Sequence, residues 1–419
     1  MNNARLGLRN SSLVLLLFVS GLAPARAQGP SSVKVKGALT QIDGVPVLKV
    51  WGSPREQGYA HGYLVAEKAV RLLDRVLANG IIFTPESFQK QMVDHLDLMT
   101  IDPVREEELR GMLAGIEAKF GGPAEVPSLG RALRYEDLAA VNCIDLKAAQ
   151  FGCSSFAAWG PMTADGATLC GHNLDWPLDR DLAQSQLIFV RLPSPGSNAL
   201  GLVSVFFLPC IGCVTAMNSE GVALAQHDAM GKPPTMAKGF TSRTLMQRAA
   251  LEAARARSAS KDVEAIFKKQ HSFLGENMIV AWPFDGHASA VVFEHDAGLK
   301  DGDGLTTRKP TKGSRFLVCT NHYRERQEAQ ECKRFASLTE QLRSIAESDG
   351  KERLTVKKAW RLLESVPIEG LATYHRAVFE PNKKLMHVAF PEGGDPKTRG
   401  KIITLDVAKL LEPLAEPGK

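Results

Sequence analysis

Cys153 lies between Phe151-Gly152 and Ser154-Ser155-Phe156, and the run Gly171-His172-Asn173-Leu174-Asp175-Trp176 follows downstream. A thiol at the head of one predicted strand, with a carboxylate on the next, suits a chain that cuts itself between Gly152 and Cys153. The cut makes Cys153 a new amino terminus, whose thiol attacks a carbonyl while the freed α-amine carries the proton. Both groups then work near neutrality, because a reference α-amine titrates at about 7.7–8.0 and a free thiol at about 8.5. No catalytic histidine is needed. Asp175 is the group that would hold the ammonium or the thiol in position, and Gly152 leaves the carbonyl to be attacked clear of any side chain.

Hydrophobic spacing supplies the elements that carry these residues. Before Cys153, apolar residues recur at helical spacing over 59–77, 85–99, 105–120 and 138–149, so this segment reads as mainly helical. From Cys153 onward strands are expected over 155–159, 168–173, 187–192, 201–208, 214–218 and 222–227, then a helix over 241–257. A hairpin of 278–282 with 288–294, a strand at 316–320, helices over 331–346 and 356–364, and strands at 377–380 and 385–390 complete the pattern. Asp165-Gly166 and Asp285-Gly286 mark tight hairpin turns, and 299–312 reads as an exposed loop. Sheet, helices, sheet is the order of an α+β fold in which two stacked antiparallel sheets are covered by helices on both outer faces.

The start of the chain points to export. Arg5 and Arg9 precede an apolar stretch at 11–23, and Ala25-Arg26-Ala27 offers the small residues a signal peptidase reads. Cleavage after Ala27 is expected, giving a periplasmic or secreted protein; an uncleaved anchor is the alternative. The apolar run is short for a bilayer, so the mature form is expected to have no stable membrane span. The domain organisation is then signal peptide 1–27, helical pro-segment 28–152 and catalytic region 153–419.

The 419 residues are 44% hydrophobic and 23% charged, and the formal charge of +5 comes from dispersed Lys and Arg such as Lys268-Lys269 and Lys383-Lys384. That is globular material without a nucleic-acid footprint. Seven cysteines, Cys143, Cys153, Cys170, Cys210, Cys213, Cys319 and Cys332, are an odd count for an exported chain. One left over fits a free nucleophile, while three bridges and buried free thiols both fit the rest. Cys210-Ile211-Gly212-Cys213 has redox or zinc spacing, but it lies in an apolar strand region with no second pair, and reads as structural. His61, His95, His271, His287, His295, His375 and His387 show no metal spacing, so no metal and no cofactor are expected.

Read in order, Gly58-Tyr59-Ala60-His61-Gly62, the stretch 108–115, Tyr135-Glu136-Asp137-Leu138 with Asn142, and Cys153-Ser154-Ser155-Phe156 form a familiar series. Asp165-Gly166, Asn173-Leu174-Asp175-Trp176, Asn218-Ser219-Glu220-Gly221-Val222 and Thr320-Asn321-His322 continue it. Order and spacing together resemble the acyl-coenzyme A:6-aminopenicillanate acyltransferase-like family of self-processing cysteine hydrolases. These are N-terminal nucleophile (Ntn) hydrolases, related more distantly to bile salt hydrolases and acid ceramidase.

The resemblance implies a four-layer αββα sandwich, a zymogen that cuts itself before Cys153, and hydrolysis or transfer of the acyl group of an amide. By position it makes Cys153 the nucleophile, Asp175 the orienting carboxylate and Asn321 an oxyanion or amine-positioning side chain. Arg334 is similar to a downstream arginine near the site in relatives; from the sequence alone it reads equally as a surface charge on a helix, and 320–322 as a strand-end turn. His172 stands where bile salt hydrolases and ceramidase carry arginine, so His172 and Asn173 are expected to bind substrate or support the site. Gln226-His227-Asp228 occupies a place where relatives often have asparagine. The expected partner is a small-molecule N-acyl amide, and fragments 28–152 and 153–419 are expected to stay associated. Two other readings remain open: a phospholipase B-like lipid acyl hydrolase, and a non-catalytic periplasmic binding protein on the same fold.

Overall fold

The computed structural model describes residues 34–80, 82–143, 152–177, 179–229, 238–297, 304–368, 370–395, 398 and 400–413. The expected signal peptide and the end of the expected 138–149 helix lie outside the described residues. From Val35 onward the chain forms one unit.

Local chemistry sets the first elements. β1 (Gly37–Ile42) and β2 (Val45–Gly52) make a hairpin whose turn places Asp43 and Gly44 at positive φ. α1 (Pro54–Asn79) starts at a capping box of Ser53 with Glu56, has Pro54 in its first turn, and stops at a left-handed Gly80. α2 (Pro85–Gln91) follows, then α3 (Pro103–Phe120), capped by Asp102 on the N–H groups of Val104 and Arg105. The paired small residues on α1 have a packing cause. A Cβ on Gly58 or Gly62 would run into the carbonyl oxygens of Glu108 or Met112, and Gly111 and Gly115 of α3 face Arg55 and Tyr59 the same way.

The short pair β3 (Glu125–Val126) and β4 (Arg131–Ala132) leads to α4 (Tyr135–Asn142). Beyond it come β5 (Ser154–Ala158), β6 (Leu169–Trp176), α5 (Arg180–Gln184), β7 (Gln186–Pro193), β8 (Leu202–Phe207), β9 (Thr215–Asn218) and β10 (Ala223–Ala229). Next are α6 (Arg243–Ala253), α7 (Ala259–Phe267), β11 (Gly275–Ala281), β12 (Ala290–His295), β13 (Leu305–Arg308) and β14 (Phe316–Thr320). α8 (Lys333–Ala346), α9 (Val356–Glu364), β15 (Ala372–Glu380), β16 (Leu385–Ala389), β17 (Ile403–Asp406) and α10 (Val407–Leu410) close the series.

Among the described residues, one sheet has the order β1-β2-β7-β8-β9-β10-β11-β12-β13 and the other β14-β5-β6-β15-β16-β17. β2 and β7 run parallel, with Val47 opposite Ile188. Val190, Val205, Ala225 and Ile279 of the larger sheet meet Ala157, Cys170, Ala377 and Phe379 of the smaller in the core between them. On the outer face of the smaller sheet, Leu338 and Leu342 of α8 and Leu363 of α9 cover Phe156, Val318 and Val378. On that of the larger, Met246 and Leu251 of α6 and Val263 of α7 cover Leu224, Met278 and Phe293. α1 covers its other end, with Ala60, Val65 and Leu72 packed in one cluster with Leu48, Val50 and Phe189. The layers are α, β, β, α, the α+β sandwich expected.

Several expectations change. The segment before Cys153 is not only helical, because it supplies β1 and β2; Val47, Leu48 and Val50 are buried on both faces of the strand and break the alternating signal. The expected 85–99 helix ends at Gln91 and gives way to a 3-10 turn at Val93–Leu98. The 299–312 loop carries β13, a mostly polar edge strand, and the 241–257 helix ends at Ala253, with α7 as a separate helix after it. β17 had no distinct signal. No disulfide joins any of the seven cysteines, and Cys210 and Cys213 are buried without a bridge between them.

Candidate active site

Cys153 stands immediately before β5, the strand held between β14 and β6 in the smaller sheet. Register chooses its neighbours. Ser154 pairs with Thr320 on one side and with Asn173 on the other, so Asn321 comes level with Cys153. Gly152 N–H donates to the Asp175 carbonyl oxygen at 2.7 Å, which extends the ladder past the start of β5. α8 returns over this corner. Arg334, in its first turn, donates from Nη1 to the Cys153 carbonyl oxygen at 2.7 Å and to Asn321 Oδ1 at 2.8 Å. Asn321 Nδ2 donates to the Asp228 carbonyl oxygen at 2.8 Å. A carboxamide nitrogen carries two N–H groups, so Asn321 keeps a second donor beyond this bond. At Gly152 a Cβ would strike the Leu371 side chain, which gives the glycine a local reason.

The electrostatics follow from burial. Burial, then the charges of Asp228 and Asp175, push the Cys153 thiol well above its ordinary range, while Arg334 and the Asp175 N–H pull the other way. The uncut chain therefore holds a neutral thiol at neutral pH. Burial also lifts the Asp175 carboxyl to about 6, opposed by the Thr373 hydroxyl, which donates to Oδ1 at 2.7 Å, and by Arg334 and Arg376. A buried carboxylate in that range is a competent proton acceptor near pH 7.

Alternation along β6 sends His172 and Asn173 to opposite faces. His172 Nδ1 lies 2.9 Å from Ser155 Oγ, which also meets His227 Nε2 at 2.8 Å. The His172 ring is 5.4 Å from that of His227 and 6.1 Å from that of His375. This cluster sits between the sheets, one strand repeat behind Cys153. Burial drops His172 to about 3, which keeps the ring neutral near pH 7. Asn173 Nδ2 donates to the Leu363 carbonyl oxygen at 2.9 Å and to Ser154 Oγ at 3.3 Å, tying β6 to α9.

The fold thus brings together Gly152, Cys153, Asp175, Asn321 and Arg334. His172 lies behind them, and Asn173 points to the α9 side. Leu371 and Thr373 adjoin the site without any motif of their own; only the folded structure reveals them. Of Gln226-His227-Asp228, His227 enters the histidine cluster, while Asp228 accepts from Arg243 Nη1 at 2.6 Å. A second thiol, Cys332, is the N-cap of α8. Burial raises it, but His322, the Phe335 N–H, the Thr320 hydroxyl and Arg334 outweigh burial and bring it down to about 6. Among the described residues no group of three His, Cys, Asp or Glu is placed to hold a metal ion, and no helix is long and apolar enough to cross a membrane.

Solved structures similar to this chain include the following three. The Caenorhabditis elegans N-acylethanolamine-hydrolyzing acid amidase ortholog is 16% identical, covers 55% of this chain and 93% of its own, and has a TM-score of 0.43. A mutant conjugated bile acid hydrolase from Clostridium perfringens is 12% identical, with 62% and 94% covered and a TM-score of 0.39. Penicillin V acylase from Agrobacterium tumefaciens is 12% identical, with 61% and 88% covered and a TM-score of 0.41. No curated protein matches. The family model for acyl-coenzyme A:6-aminopenicillanic acid acyl-transferase matches residues 162–366, beginning after Cys153 and taking in Asp175, Asn321 and Arg334.

Proposed function

We propose that the protein is an exported, self-processing cysteine Ntn hydrolase that cleaves a C–N amide bond, or transfers its acyl group, through an acyl-enzyme on Cys153. One observation carries this reading: Arg334 joins the Cys153 carbonyl to Asn321 at the junction where Gly152 meets Asp175.

Processing begins when Cys153 Sγ attacks the Gly152 carbonyl carbon and its proton passes to Asp175. The C–N bond breaks as the Cys153 nitrogen takes up that proton, leaving a thioester. Water opens the thioester, giving a Gly152 carboxylate and returning the thiol beside a new α-amine. Turnover repeats the same chemistry on a substrate amide, with the α-amine as base and leaving-group acid. The second Asn321 N–H is the donor for the tetrahedral oxyanion, a contact worth about 3–4 kcal/mol in such sites. Water then hydrolyses the acyl-enzyme, or an amine accepts the acyl group.

Mass spectrometry of the purified protein tests the reading. The expected fragments are 28–152 and 153–419, held together without a covalent bond, and Cys153→Ala should give one uncut, inactive chain. Cys153→Ser should process slowly, since a hydroxyl is the weaker nucleophile. A Cys153→Ala protein that splits like wild type, or an acyl adduct found on Cys332 instead, overturns it. An uncut wild-type chain that takes no acyl label points to the binding-protein reading.

A further inference from the structure

β15 changes register beside the reacting groups. Ala372 pairs with Trp176 and Thr373 with Asp175, but the next pair is His375 with Leu174, so Tyr374 is an extra residue on one side of the ladder. A bulge of this kind re-aims the side chains around it. Without it Tyr374 would stand opposite Asp175, and Thr373 and Arg376, three residues apart, would face opposite ways. With it they meet on one face. Thr373 Oγ1 donates to Asp175 Oδ1 at 2.7 Å and accepts from Arg376 Nη2 at 3.4 Å. Tyr374 is anchored elsewhere, its hydroxyl donating to the Pro177 carbonyl oxygen at 2.8 Å and accepting from the Asp179 N–H at 2.9 Å. Asp175 Oδ2 is buried and has no hydrogen-bond partner among the described residues.

We propose that Thr373 is a positioning residue for the reaction at Cys153: the bulge aims its hydroxyl at Asp175 Oδ1, Arg376 holds that hydroxyl in place, and Oδ2 is left to take the proton. The inference rests on Cys153 as the nucleophile with Asp175 as its proton acceptor, and adds what fixes that acceptor. A hydroxyl has one hydrogen to give. With Arg376 on a lone pair, the Thr373 hydrogen is turned toward the carboxylate, and a bond given to the ionised form favours that form. Burial is the largest influence on Asp175 and raises it; the Thr373 hydroxyl is the largest that opposes burial, ahead of Arg334 of α8 and Arg376 of β15. Cys153 faces Asp175 from the β5 side, and Glu364 of α9 lines one small pocket together with Thr373 and Arg376. Loss of the Thr373 hydroxyl therefore keeps the carboxyl protonated to a higher pH and delays its service as an acceptor.

The test follows processing of newly synthesised full-length chain in gel time courses from pH 5 to 8.5. Thr373→Val, which keeps the branched shape and removes the hydroxyl, should raise the pH of half-maximal rate by about one unit, and so slow processing about tenfold at the acid end. Thr373→Ser, which restores a hydroxyl, should return the midpoint to that of wild type, and Arg376→Gln should move it the same way as Thr373→Val but by less. A midpoint that Thr373→Val leaves in place, a Thr373→Ser protein as displaced as Thr373→Val, or an Arg376→Gln shift to the acid side overturns the proposal. Urea unfolding separates it from the catalytic reading. The stability tied to a raised carboxyl is lost as pH rises through its folded value, and a higher value loses more. In the uncut Cys153→Ala chain the destabilisation caused by Thr373→Val should therefore grow about tenfold, as an unfolding constant, between pH 5 and 8. That widening gap without any processing of the wild-type chain sinks only the nucleophile reading, whereas processing with a gap that stays constant sinks only the positioning role.

Discussion

Replacing Asp175 by Asn tests the electrostatics of the corner without removing its hydrogen bond, since a carboxamide oxygen also accepts from Thr373. Burial lifts the Asp175 carboxyl from an ordinary value of 3.8 to about 6, so the folded protein holds a proton that the unfolded chain releases between these values. The stability tied to this group is fully present below about pH 4 and is lost as pH rises through about 6. A shift of roughly two units corresponds to about 3 kcal/mol. Asparagine does not titrate. In a Cys153→Ala background, which keeps the chain uncut, the Asp175→Asn variant should match its parent near pH 4 and gain on it by up to about 3 kcal/mol at pH 7. Urea unfolding at pH 4, 5, 6 and 7 measures the gap between the two. A constant gap over this range, or one that moves the opposite way, refutes the claim that a buried, proton-accepting carboxyl sits there.

Two further outcomes are expected. Gly152→Ala drives a methyl group into Leu371 and should slow processing about tenfold, the kinetic equivalent of about 1–2 kcal/mol of overpacking. Adding Leu371→Ala should restore the rate in a gel time course, and a double variant as slow as the single one contradicts the steric account. Glu108, which is 1% exposed, meets Arg248 Nη1 at 2.8 Å, Arg105 Nη1 at 3.4 Å and Arg191 Nε at 3.8 Å. Burial pushes its carboxyl up, but Arg248, Arg105 and Arg191 together hold it below its ordinary range. Glu108→Gln leaves these guanidiniums under-compensated and should cost about 3–5 kcal/mol in urea unfolding, so a loss below about 1 kcal/mol rules out the network as a support that ties α3 to β7 and α6.

Much of the architecture was legible because one face of most strands is buried and the other is capped by helices. Gln186–Pro193 lies within a residue of the expected strand at each end, and the turn at Asp285-Gly286 has its glycine at positive φ. β2 was not legible, since its apolar residues serve two layers at once. Within the site, Cys153 and Asp175 stand out by type and by spacing on consecutive strands. Arg334 does not, because its contact with Cys153 spans 181 residues and depends on where α8 lands after β14. The orientation of His172 depends on register alone: a one-residue slip of β6 would turn it from the inter-sheet layer to the helix face.

The parallel pairing of β2 with β7 bears on what activation can change. Inhibitory propeptides commonly block a cleft and then drift away, but here the earlier stretch is stitched into the larger sheet by its main-chain ladder and pinned beneath α1. Severing the backbone before Cys153 would yield two polypeptides woven through one fabric. Neither could leave without unravelling the other, so maturation would alter the chemistry of one chain end and leave the architecture around it standing.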